Sequence, residues 1–298
     1  MKVRIQQESN FFIFSNIEKA EKSMRATWGD MCEKLSKGTF LYNDIAKAKE
    51  CIFLSVFDSL FIENKGFEIF ETCLAEVFDK YHLVRGSIIK EDEPSPSYER
   101  LLPKSEYITA DNRFSPKGVE WLYLALGFRA AENGLYNAKK CSETECHAQV
   151  GMKFAVCSFN LSSTENVKIV DLTVGDNWSY NRLQKDLERA AKRIVRREVN
   201  KYFKTFSDPS ALDIIPEFYK WLVYTYAKML SEQIFVPVDT NNKELVYAPF
   251  HCIAQYFLSL GYSGIIYRST VYKNGKNLVL FDKSIVKPNG DIELYKMN

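Results

Sequence analysis

The sequence predicts a mixed α/β fold of the α+β type, with a sheet-bearing core over 81–298, a helical amino-terminal cap over 1–80 and a helical insertion near 176–235. Three observations carry this. Short runs rich in Val, Ile, Leu and Tyr, which read as strands, recur from residue 82 onward. Amphipathic stretches at helical spacing separate them, without the strict strand–helix alternation of a doubly wound sheet. The first 80 residues hold helical spacing and contain few glycines and no proline.

Taken in order, 17–35 and 45–53 carry apolar residues at helical spacing, with Lys and Glu between them. Residues 67–77 repeat the pattern with Phe67, Ile69, Phe70, Leu74 and Val77. Residues 82–89 read as a strand, and the polar stretch holding Pro94, Pro96 and Pro103 as a loop. A short strand at 121–125 leads into a predicted helix over 128–140. Residues 149–159 and 167–172 are further strands. The excursion that follows is helical over 180–203 and again over 215–234. A helix over 248–260 ends at Gly261, a usual C-cap residue, and the β texture returns at 264–267 and 277–281. The sequence has no internal repeat and no low-complexity tract.

The chain has 298 residues, 46% hydrophobic and 26% charged, which excludes disordered, collagen-like and coiled-coil classes. Its 21 Phe and 17 Tyr supply ample apolar side chain for a core. A net charge of +2 gives no ground for wholesale nucleic-acid binding. The seven scattered cysteines read as reduced thiols of a cytoplasmic protein. Residues 1–8 hold no apolar signal-peptide core, and the apolar stretch at 51–62 falls short of the ~20 residues that cross a bilayer. A cytoplasmic protein without membrane partners is therefore expected.

Several motifs lead nowhere. Residues 182–204 contain nine Lys or Arg against three Asp or Glu, which reads as the solvated side of an amphipathic helix. Cys141, Cys146 and His147 resemble the start of a zinc site, but no second pair of ligands follows, so no metal is expected. Gly261 and Gly264 are too sparse for a phosphate-cradling loop, and no serine sits in a nucleophile elbow. What remains is a constellation of Arg85, Arg113, Tyr123, Glu132 and Ser269, on or beside predicted strands except for Glu132, which falls in a predicted helix. Each has an ordinary structural reading, so composition and periodicity alone leave an α/β domain of unassigned activity.

The order of residues narrows this. The run from Asp111 through Asn112, Arg113, Phe114, Ser115, Pro116, Lys117 and Gly118 to Trp121, Leu122, Tyr123, Leu124 and Ala125 is followed by Arg129, Ala130, Ala131 and Glu132. It resembles the RES-domain family, named for an Arg, a Glu and a Ser. That family's hallmark is an Arg–aromatic pair, a Gly, a Tyr-x-Ala strand end and an Ala-rich helix carrying Glu. Residues 81–87 look like the family's first strand with its arginine, 167–173 like its Leu-Asp-Leu-type strand, and 247–282 like its closing block with Gln255 and Ser269. The resemblance covers 81–285. Many members have Gly and Asn where this chain has Asn112 and Ser115, and the nine-residue gap from Tyr123 to Glu132 is short for the family.

The resemblance implies an ADP-ribosyltransferase-like core that consumes NAD as substrate, with no further cofactor. On that reading Arg85 and Arg113 clamp the pyrophosphate, since guanidinium groups bind phosphate with planar, bidentate hydrogen bonds. Tyr123 stacks on the nicotinamide or ribose. Glu132 faces the oxocarbenium-like state as the nicotinamide–ribose bond breaks. Ser269 orients that carboxylate or a ribose hydroxyl. The implied activity is that of an NAD glycohydrolase or phosphorylase acting as a bacterial toxin or defence effector, restrained by a DNA-binding Xre-like antitoxin. Two other readings stay open: an ADP-ribosyltransferase that modifies a macromolecule, and a catalytically silent binding module.

Overall fold

The computed structural model describes residues 17–59, 66–93, 95–162, 167–183 and 243–297, with scattered positions between 185 and 232. Most of the helices expected over 180–203 and 215–234 lie outside the described residues.

The chain divides into two compact units. One gathers residues 1–30, 51–69 and 174–234, and its described part is helical and aromatic. Trp28 meets Phe53 edge-on at 5.0 Å, and the Tyr226 hydroxyl donates to the Phe53 carbonyl at 3.2 Å. Ser231 donates to Asp176 at 2.7 Å.

The other unit holds residues 31–50, 70–173 and 235–298, and it carries the expected mixed sheet. Its strands are β1 (Glu71–Cys73), β2 (Tyr81–Ile89), β3 (Leu122–Phe128), β4 (Lys153–Leu161), β5 (Lys168–Asp171), β6 (Gly264–Arg268), β7 (Lys276–Leu280) and β8 (Val286–Lys296). They lie in the order β1-β5-β6-β7-β3-β2-β4-β8, and every neighbouring pair is antiparallel except β5 with β6. On one face Leu83, Leu122, Leu124, Leu126, Cys157, Phe159, Leu278 and Leu280 form the main core. Val84, Phe154 and Val156 face the opposite way and pack with Ala138 of a covering helix. The alternation follows from the period of two along each strand.

The helices differ in detail from the sequence reading. Helix α1 spans Ile17–Ser36, close to the expected 17–35. The stretch expected as one helix over 45–53 is two, α2 (Ile45–Ala48) and α3 (Ile52–Phe57). Residues 67–77 are not one helix. A 3₁₀ turn at Gly66–Ile69 gives way to β1, and helix α4 (Leu74–Lys80) follows. The cause is a partner far away in sequence: Glu71, Thr72 and Cys73 pair with Val170, Ile169 and Lys168 of β5. Leu74 and Val77 then join the core of the sheet. The division between units therefore differs from a boundary at residue 80. Residues 31–50 and 70–80 belong with the sheet, and the described part of the 176–235 insertion groups with residues 1–30 and 51–69.

Two further helices set the site. Helix α5 is Gly134–Glu145, where residues 128–140 were expected, because β3 continues through Phe128. Helix α6 is Lys243–Ser259. It ends as expected at Gly261, with φ of +85°. There Tyr262 donates to the Phe257 carbonyl and Gly261 to that of Leu258, the pairing of a Schellman motif, with the two rings in edge contact. This turn hands the chain directly into β6.

Candidate active site

The sheet forks at its centre. Strands β2 and β3 pair over only four positions, from Tyr81 with Phe128 to Val84 with Ala125. Beyond that point residues 85–89 of β2 follow β4, while 122–124 of β3 follow β7. Arg85 is the first residue past the last pair. Its Nη1 donates to the Tyr123 carbonyl at 3.1 Å. Burial pushes this guanidinium below the ordinary arginine value, and Arg85 pairs with no carboxylate among the described residues. Its Nε is buried and makes no hydrogen bond.

The two arms of the fork carry further candidates. The Tyr123 hydroxyl shares a 2.9 Å hydrogen bond with Ser115, which is fully buried, and burial raises the Tyr123 pKa. Ser115 thereby tethers the tyrosine. Arg113 Nη2 donates to Thr270 Oγ1 at 3.2 Å and lies 5.3 Å from the centre of the Phe250 ring. This sets Arg113 beside Ser269. The Ser269 hydroxyl oxygen accepts the backbone N–H of Val271 and of Tyr272, at 3.3 and 2.9 Å, so it holds the turn between β6 and β7.

Helix α5 decides which carboxylate joins them. It starts where β3 ends, and the contact there is backbone to backbone: a Cβ on Gly127 would lie 2.0 Å from the Gly134 carbonyl oxygen. The helix then packs back along β2 and β3. Twelve residues at ~1.5 Å each give about 18 Å, and the five steps from Phe128 back to Tyr123 at ~3.3 Å give about 17 Å. The last turn of α5 therefore returns level with the fork. Cys146 donates to the Gly86 carbonyl at 3.4 Å, and Asn277 Nδ2 donates to Glu145 Oε1. Asn277 is buried and also accepts from Cys141 at 3.5 Å. The charge of Glu145 is felt by Cys141, Cys146 and Tyr267, and Tyr267 also feels Arg113 and Tyr123.

Glu132 sits elsewhere. It is exposed, in the turn between β3 and α5 rather than in a helix, at the end of β3 opposite Tyr123. The structure thus joins Arg85 to the Tyr123 carbonyl and Arg113 to the turn of Ser269, sets Glu145, Arg113 and Tyr123 around Tyr267, and leaves Glu132 in the turn beyond the far end of β3. Glu145 had a readable signal. Ala138, Cys141 and Glu145 lie at helical spacing, and the first two are buried.

No family model, curated protein or solved structure matches this chain. Among the described residues no group of three His, Cys, Asp or Glu is set to hold a metal ion. The Cys141 and Cys146 thiols turn to Asn277 and Gly86, and none of the seven cysteines is in a disulfide. No described helix is long and apolar enough to cross a membrane.

Proposed function

We propose that the fork is the active site of a RES-type enzyme with an ADP-ribosyltransferase-like core, which consumes NAD by cleaving its nicotinamide–ribose bond. The observation that carries the reading is the contact of Arg85 with the Tyr123 carbonyl where β2 and β3 part, beside a Tyr267 that feels Glu145, Tyr123 and Arg113 together. A buried guanidinium without a carboxylate partner suits a phosphate, which supplies the missing charge and accepts planar hydrogen bonds. An aromatic face suits the flat, cationic nicotinamide ring.

The reaction asks little of the protein. The nicotinamide leaves with the electron pair of the glycosidic bond and becomes neutral, while positive charge grows on the ribose. A fixed carboxylate stabilises that state more than the ground state. In this reading Glu145 takes the part that the resemblance gives to Glu132. The hydrogen bond from Asn277 fixes the Glu145 rotamer, Arg113 binds phosphate, and Ser269 shapes the turn that carries Thr270 to Arg113. Water or phosphate then attacks the ribosyl carbon and gives up a proton.

Such an enzyme drains an essential pool and suits a toxin or defence effector in the cytoplasm. A cell that makes it needs restraint, and an Xre-like antitoxin is the partner that the RES resemblance implies. The test is direct. Purified protein is incubated with NAD alone, and nicotinamide is followed by proton NMR. Release of nicotinamide is expected. Release only when a protein or nucleic-acid fraction is added would make the protein a transferase, and no release in either case would leave a binding module.

A further inference from the structure

Past the fork, the face of β2 that carries Arg85 and Ser87 is roofed by residues 93–108, and a cavity of about 430 Å³ lies between them. That volume falls near the small end of the roughly 300–1,000 Å³ typical of small-molecule sites, so it suits one nucleotide better than two. The roof is built to hold its shape. Arg100 donates through Nε to Glu93 at 2.6 Å, through Nη1 to Ser87 at 3.0 Å and through Nη2 to the Ile88 carbonyl at 3.1 Å. Glu93 is thereby neutralised. Lys104 also lines the cavity and makes no ion pair among the described residues, so Arg85, Arg100 and Lys104 set three cations against the carboxylates of Glu93 and Glu99. Leu102, Ile108 and Tyr107 supply apolar and aromatic surface, and Tyr107 is 70% exposed with no ring contact of its own.

Arg85 belongs to both places. Its Nη1 is held by the Tyr123 carbonyl in the fork, while its buried Nε is left without an acceptor and the residue lines the cavity. An anion seated between the two would supply that acceptor. We propose that this cavity takes the adenosine 5′-phosphate arm of the dinucleotide, with the base against Tyr107 and Leu102, the phosphate at Arg85 and Lys104, and the reacting half in the fork. The proposal rests on the NAD reading for the second half of the ligand. The cavity's own claim is narrower: it recognises a purine nucleoside monophosphate.

Calorimetry of the full chain with adenosine 5′-phosphate tests it. Saturable one-to-one binding is expected, weakened at least about tenfold by Lys104→Ala, the scale of one lost charge-assisted hydrogen bond, and weakened also by Tyr107→Ala. KM for NAD should rise in the same variants. Both side chains reach solvent, and thermal melts matching wild type confirm that the variants fold. Absence of binding in wild type, or equal binding in both variants, overturns the assignment. Inorganic phosphate binding as tightly as the nucleotide also overturns it, by reducing the cavity to an anion site. The two proposals fail separately. A protein that binds the nucleotide through Lys104 but never releases nicotinamide keeps this site and loses the reaction. One that releases nicotinamide with KM indifferent to Lys104 and Tyr107 keeps the reaction and loses the site.

Discussion

Replacing Glu145 by Gln removes one negative charge and almost nothing else. The contact that holds the side chain is accepted by an oxygen, from Asn277 Nδ2, and the amide oxygen of Gln can accept it equally. An exposed position at a helix end costs about 0.5 kcal/mol or less on such a change, so the melting temperature should barely move. Turnover is another matter. A carboxylate facing developing positive charge at contact distance is worth the ~2.7–4 kcal/mol typical of one electrostatic transition-state contact, a loss of about 100- to 1,000-fold in kcat. Glu132→Gln is the matched control. It sits in the turn past Phe128, itself about 17 Å along β3 from Tyr123 and well beyond the ~8 Å screening length at physiological salt, so turnover should change less than about twofold. The assay is nicotinamide release under saturating NAD, with both variants beside wild type. If Glu132→Gln lost activity while Glu145→Gln kept it, the argument from the length of α5 would be refuted, and the turn after β3 would be the place to look.

Other predictions follow from the same geometry. Arg113→Ala loses the Thr270 hydrogen bond and the Phe250 ring contact, and should raise KM for NAD as well as lower kcat, because it removes binding present in the ground state and stronger in the transition state. Gly127→Ala drives a methyl to 2.0 Å from the Gly134 carbonyl oxygen, so denaturant titration should show a loss of about 1–3 kcal/mol, and displacement of α5 should lower activity too. Burial lowers the pKa of His251 below 6.5, partly opposed by the hydrogen bond to the Asn112 carbonyl. Folding therefore favours the neutral ring. Its contribution is whole above pH 6.5 and is lost as pH falls from there toward the folded-state value, so melts at successive pH values should show wild type losing more stability over that window than His251→Gln. Cys146, pushed up to about 11 by burial, and Cys141 and Cys157, pushed up to about 12, should resist alkylation at pH 7.5 in the native protein and react once it is unfolded.

The strands that were legible in sequence share one property. Residues 264–267 and 277–281 are nearly continuous apolar runs, 82–89 holds the apolar pairs Leu83–Val84 and Ile88–Ile89, and all three become interior strands with neighbours on both sides. Strand β8 escaped because it lies at the sheet edge. It carries Lys287, Pro288, Gly290, Asp291 and Glu293, the residues by which edges avoid pairing with strangers. Strand β1 escaped for a different reason: its three residues are strand only because β5, nearly a hundred positions later, pairs with them. At the site, Arg85, Arg113, Tyr123 and Ser269 could be named because each sits beside a legible strand. The carboxylate was harder to name, because reading the stripe that carries it depends on where α5 begins. That is settled by a glycine–glycine contact between Gly127 and Gly134, which no local propensity encodes. A helix starting at 128 makes Glu132 helical, whereas the start at Gly134 puts Ala138, Cys141 and Glu145 on one stripe.

A crystal structure of the Glu145→Gln variant with intact NAD tests the central claim most directly, since the substitution should preserve binding while stalling cleavage. The account predicts the ribosyl carbon that bears nicotinamide in van der Waals contact with the side chain of residue 145, the ring on Tyr123 and the pyrophosphate on Arg85. A dinucleotide lying away from the fork, or one whose nicotinamide end reaches the turn at Glu132, would contradict it.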